Sequence, residues 1–183
     1  MPRQRPEPRP SEVGRRVSLR RVLPDGGQGD LLGFVIHADD ERLRLRDRRG
    51  VTHEVPWSTV LAWRPVGVAR GRDPLRTPLA DLDRLAAATG ASGRVFVARL
   101  SDLLDGRPPG SVRNWDDPPP CPARLDGEWV VTGECEDVLS LAWWAAHHGA
   151  RSIQVRTADA GAAEELERLG FREVLAPQVP GQT

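Results

Sequence analysis

Apolar and polar residues alternate in short runs through the first third of the chain. Val17 and Leu19 alternate with polar neighbours, and Pro24 to Gly29 is a turn rich in Gly and Asp. Leu32, Phe34 and Ile36 alternate next, and Asp39-Asp40 turns the chain. Leu43 and Leu45 alternate with Arg42, Arg44 and Arg46, and Arg49-Gly50 turns again before Val51, His53 and Val55. Period-two alternation at this spacing predicts an antiparallel sheet with one wet face. Pro56 ends the fourth strand, because it has no N–H to give a ladder. Trp57 to Val60 is long enough for one helical turn, and Leu61 to Val66 reads as a fifth strand. Together they read as a small five-stranded barrel.

After a Gly- and Pro-containing linker, Gly67 to Arg76, the period changes. Thr77-Pro78 has the form of a helix start, Leu82, Leu85, Ala86 and Thr89 share one face, and Gly90 supplies the stop. Val95 to Leu100 reads as a strand. Asp105 to Asp126 carries Pro108, Pro109, Pro118, Pro119, Pro120 and Pro122 and reads as a long disordered loop. Then come a strand (Glu128 to Thr132), a helix (Glu136 to His148) and a strand (Ser152 to Thr157). A helix capped by Asp159 and stopped by Gly170 follows, then a last strand, Phe171 to Leu175. Trp143 and Leu166 lie on the apolar stripes of these two helices and are expected in the core.

Composition narrows the picture. Hydrophobic residues make up 39% of the 183, enough for a real core. No run of eighteen apolar residues predicts a membrane span, and the start shows no apolar signal core, so a cytoplasmic setting is expected. Cys121 and Cys135 fit no metal-ligand pattern and are expected as reduced thiols. All 26 basic residues other than the His are Arg, which excludes a Lys-dependent mechanism. Residues 1–76 hold 16 Arg against 10 acids, and residues 77–183 hold 10 Arg against 16 acids, so the zero net charge hides a basic front and an acidic back.

Leu141 to Phe171, LAWWAAHHGARSIQVRTADAGAAEELERLGF, resembles the second half of a GNAT N-acetyltransferase. The likeness runs from a helix ending at Gly149-Ala150, through a strand, to a helix ending Glu165-Leu166-Glu167-Arg168-Leu169-Gly170-Phe171. Gly14-Arg15-Arg16-Val17 through Leu23-Pro24, Asp30 to Gly33, Val55-Pro56 and Val60 to Val66 resemble the SH3-like domain that precedes the acetyltransferase domain in one group of bacterial GNAT proteins. The implied fold class is α+β: an SH3-like β-barrel over 13–66, a linker over 67–76, and a partial GNAT-like mixed sheet with helices over 77–176, including the loop 105–126. Residues 1–12 and 177–183 are expected as tails.

The resemblance also implies where acetyl-CoA would sit. The strand's backbone at Val130 and Thr132 would meet the pantetheine arm. The pyrophosphate would rest on the next helix's N-terminus, in a loop of the form R/Q-x-x-G-x-G/A. Here that loop is Thr132-Gly133-Glu134-Cys135-Glu136-Asp137, with one Gly, no Arg and three carboxylates. Two unit charges about 5 Å apart at an effective dielectric near 20 repel by roughly 3 kcal/mol. The Asn common before the last helix is Asp159, and the Tyr that often protonates the leaving thiolate aligns with Leu166 in a chain without Tyr. The expectation is a non-catalytic GNAT relative that binds a protein partner and uses neither cofactor nor metal. One alternative is an active acetyl-CoA-dependent N-acetyltransferase with divergent motifs, using Val130, Thr132 and Asp159. Another is a nucleic-acid-binding barrel whose Arg42, Arg44 and Arg46 meet phosphates.

Overall fold

The computed structural model describes residues 13–109 and 116–175. The expected tails and residues 110–115 of the Pro-rich stretch lie outside the described residues. Strands β1 (Arg16–Val22), β2 (Gln28–Ala38), β3 (Arg42–Asp47), β4 (Thr52–Pro56) and β5 (Val60–Pro65) form an antiparallel sheet in the order β4-β3-β2-β1-β5. Trp57–Thr59 makes one 3-10 turn between β4 and β5. Val17, Leu19, Val35, Leu43, Leu45, Val55 and Val60 fill its core, while Arg42 and Arg44 alternate outward. Gly33 has no substitute at its position, because a Cβ there would meet the Arg46 carbonyl oxygen at 2.4 Å.

The second sheet has the order β10-β6-β9-β8-β7, from β6 (Arg94–Arg99), β7 (Ala123–Asp126), β8 (Trp129–Thr132), β9 (Ser152–Thr157) and β10 (Arg172–Glu173). Only β8 and β9 run parallel. Helix α1 (Leu79–Ala87) covers one face, packing Leu82, Leu85 and Ala86 on Val95, Val97 and Val131. The other face carries α2 (Leu100–Leu103), α3 (Val138–His147) and α4 (Ala160–Leu169), which pack on Phe96, Val130, Ile153 and Val155. The chain is therefore a mixed α+β structure with two separate sheets. No helix among the described residues is long and apolar enough to cross a membrane.

Two expectations need correction. The Pro-rich stretch 105–126 ends in an ordered strand: β7 pairs with β8 through the two-residue turn Gly127-Glu128. The alternation of β2 places Phe34 and Ile36 on the face toward the barrel core, but they pack into the core of the second sheet's helices, and Val35 on the opposite face, which was expected to be wet, fills the barrel. The linker 67–76 packs on its neighbours. Gly67 accepts from Arg16 Nη1 at 2.9 Å, Asp73 caps the Pro74–Arg76 turn, and Val68 packs on the larger core.

Helix α3 is buried on nearly every side, from Val138 through Leu141 to His147. Trp143 and Leu166 are both buried, as the stripes predict. At the end of α3, His147 lies against Phe34, with ring centroids 3.9 Å apart. Its Nε2 is 3.0 Å from the Gly14 carbonyl, to which it donates as the Nε2–H tautomer. Burial, followed by the positive charges of His148 and Arg46, outweighs the Gly14 hydrogen bond and pushes the His147 pKa from 6.5 down to about 3.

This shift sets a pH dependence. Above pH 6.5 the imidazole is neutral in folded and unfolded chains alike. Below it the unfolded chain takes a proton that the folded chain refuses until about pH 3. Stability is therefore lost as pH falls through that window, by at most about 1.4 kcal/mol per pH unit. The depressed carboxylates Asp30, Asp39, Asp47 and Glu173 add their own loss in the acid part of that window, since their unperturbed values are 3.8 to 4.5, and the upper part belongs to His147. Urea unfolding between pH 7 and pH 4.5 should show the loss in the native chain, and His147→Gln should flatten it. Superimposable pH profiles for the two proteins would show that His147 is not the group responsible.

Candidate functional site

The carboxyl ends of the parallel strands β8 and β9 open on one cleft of about 560 Å³. Ligands of open α/β sheets bind at such strand ends, where helix N-termini converge. The loop 133–137 forms one wall and the start of α4 the other. Val138, Leu139, Val155, Ala162, Leu166 and Leu169 make an apolar floor. Glu134, Glu136, Asp137, Asp159 and Glu165 supply carboxylates, and among the described residues no Arg or His lines the cleft.

Two of these carboxylates are tied to the helices. Asp137 is the N-cap of α3: Oδ1 accepts from the Ser140 amide at 2.9 Å, and Oδ2 accepts from the Ser140 hydroxyl at 2.6 Å. Asp159 is the N-cap of α4, accepting from the Ala162 amide at 2.6 Å, as the sequence predicts. The orphan N–H groups of a helix start attract anions. In both helices the chain's own carboxylate already takes an N–H group that a phosphate would use. Glu165 pairs with Arg168, and Glu134 and Glu136 stand exposed at the rim. Solvent therefore screens the repulsion expected of Glu134 and Glu136, and the occupied caps carry more weight than that repulsion.

The other positions singled out by sequence lie as follows. Val130 and Thr132 are fully buried in β8, which is paired on both edges, to β7 and to β9. Thr132 Oγ1 donates to the Pro122 carbonyl at 2.7 Å. The pairing of β8 with β9 continues to Thr132 opposite Val155, so the two strands do not part along β8 to admit a chain between them. Leu166 is buried at the cleft floor. Arg42, Arg44 and Arg46 are elsewhere, on β3. Arg42 and Arg44 pair with Glu54 at 3.3 and 2.9 Å, and Arg46 pairs with Asp116 at 2.6 Å.

The cysteines correct the sequence reading. Cys121 and Cys135 are joined in a disulfide, which ties the end of the Pro-rich stretch to the cleft loop. Sequence spacing alone did not reveal it, because the bridge depends on β7 folding back along β8. The unpredicted β7 is thus what brings Cys121 to the cleft. Among the described residues, no group of three His, Cys, Asp or Glu is placed to hold a metal ion. The cleft's charged groups among the described residues are all carboxylates, and the hydroxyl in the lining, Thr157, accepts from the Asp159 amide at 3.0 Å.

The bridge closes a loop with a sequence separation of 14. Loop-closure entropy for that size corresponds to about 3 kcal/mol. Reduction by dithiothreitol, or Cys121→Ser, should lower unfolding stability by about that amount. Two titratable thiols in the native protein without reductant, with stability unchanged by dithiothreitol, would contradict the bridge.

Compared with models of known families, with curated proteins and with solved structures, the chain matches none.

Proposed function

We propose that this chain is a non-catalytic, GNAT-like binding module with an SH3-like barrel at its front, and that its cleft has turned from a cofactor site into a site for a cationic group. The single observation that carries this is the pair of helix N-caps. Asp137 and Asp159 hold amides that a pyrophosphate would need, in a cleft to which the described residues bring no Arg to offset them. Acetyl-CoA does not fit these residues. Its phosphates would meet carboxylates, and its pantetheine arm would find β8 already paired on both edges. An ammonium or guanidinium on a short apolar stem suits the same cleft, with carboxylates at the rim and apolar side chains on the floor. A partner protein presenting an exposed Lys or Arg has that chemistry. The proposal keeps the cytoplasmic setting expected from the sequence, where reductants open bridges of this kind. The acidic lining does not depend on the bridge, because Asp137 and Asp159 are fixed by their own helices.

Calorimetry with acetyl-CoA at moderate salt tests this reading. The expected result is a dissociation constant weaker than about 1 mM. A micromolar constant would make the chain an acetyl-CoA-dependent protein and would overturn the proposal.

A further inference from the structure

A second cleft, of about 510 Å³, lies at the seam between the barrel and the helical layer of the second sheet. Its charge is opposite to that of the cleft at β8 and β9. Four guanidinium groups line it, and they come from three places in the chain. Arg16 is on β1, Arg48 and Arg49 are in the turn after β3, and Arg151 immediately precedes β9. Among the described residues, the only carboxylate in the lining is Asp47. That carboxylate is already engaged, accepting from the Arg49 and Val51 amides at 2.8 and 3.0 Å and facing His53 Nε2 at 3.0 Å.

The cations are poorly compensated. Arg151 reaches Glu128 at 3.2 Å, outside the lining. Among the described residues, Arg16, Arg48 and Arg49 have no carboxylate at ion-pair distance, and Arg16 spends Nη1 on the Gly67 carbonyl. Burial and then the neighbouring Arg151 charge both push the Arg16 pKa down. Two guanidinium groups held near each other, one half-buried, favour an anion between them. The Arg42 and Arg44 pair on the same barrel shows the contrast, since there Glu54 supplies the opposite charge.

The cleft also has an apolar side. Leu31, Phe34, Val68 and Ala150 line it, and Leu32 is 45% exposed there. Small-ligand sites combine an apolar wall of this kind with a few convergent charged groups, in volumes of about 300–1,000 Å³. Arg forks match phosphate oxygens two at a time. We infer that this seam binds a phosphorylated small molecule of nucleotide size, with its phosphates on Arg16, Arg48, Arg49 and Arg151 and its organic body on Leu32 and Val68. Ligand and seam are then coupled, because the groups that hold the phosphate come from both halves of the chain.

Calorimetry at low salt with adenosine diphosphate, inorganic pyrophosphate and adenosine is the test. Adenosine diphosphate should bind, pyrophosphate should bind more weakly, and adenosine should not bind detectably. The double variant Arg48→Ala/Arg49→Ala changes two exposed turn side chains and should weaken adenosine diphosphate by about tenfold or more. Arg44→Ala, outside the cleft, should leave it unchanged, with circular dichroism confirming that both variants fold. Three results would overturn the inference. They are no binding by either phosphate compound, binding unaffected by the double variant, and binding of DNA or RNA oligomers when the mononucleotide does not bind.

Discussion

The burial of α3 is the constraint from which most of this structure follows. A helix that is apolar on nearly every side has to be covered on nearly every side. One sheet covers one stripe. The parallel pair β8 and β9 provides it, with α3 as the crossover that a parallel pair requires. The remaining surface of α3 is shared by α2, by the segment at Asp117, whose carbonyl accepts from Trp144 Nε1 at 3.0 Å, and by the barrel, which turns Phe34 away from its own core and into that of its neighbour. Full burial of an aromatic side chain is worth on the order of 1.5–3 kcal/mol. The seam is therefore part of the folding core, and not a loose contact between two beads on a string. It also explains the position of His147. The helix end meets the chain where the barrel begins, and a buried polar ring has to find a partner, which the Gly14 carbonyl supplies.

The same geometry sets the charge of both clefts. At the start of α3, the exposed N–H groups are met by Asp137, and the parallel neighbour repeats the arrangement with Asp159 on α4. An anion site inherent in the fold is thereby filled from within. At the other end of α3, the barrel's basic turn and Arg151 line one cleft, and only Arg151 of these has a carboxylate at ion-pair distance among the described residues. The basic front and acidic back of the sequence thus become two clefts of opposite sign at opposite ends of one helix.

Much of the fold was legible in alternation alone. Leu43 and Leu45 read as inward and Arg42 and Arg44 as outward, and so they are. The caps Asp159 and Gly170 were equally plain, because capping is local chemistry. What was not legible depends on partners distant in sequence. Alternation in β2 separates Phe34 from Val35 but does not say that both faces are covered. Register across β3 and β4 brings Glu54 to Arg42 and Arg44, and no one-dimensional pattern shows that. Strand β7 was hidden by the prolines before it, although Asp126-Gly127 before Trp129 is a hairpin signal. Missing β7 meant missing the disulfide. At the cleft, the carboxylates of loop 133–137 were visible in the sequence, and so was the capping role that acids take at a helix start; which of the three would cap, Asp137, was not.

The most direct measurement of the central claim is the backbone amide spectrum of the protein by NMR during titration with acetyl-CoA. If Asp137 and Asp159 already hold the helix starts, the amides of Ser140 and Ala162 should not move at millimolar acetyl-CoA. Saturable shifts of both at micromolar concentrations would show that the phosphates displace the caps, and would contradict the account.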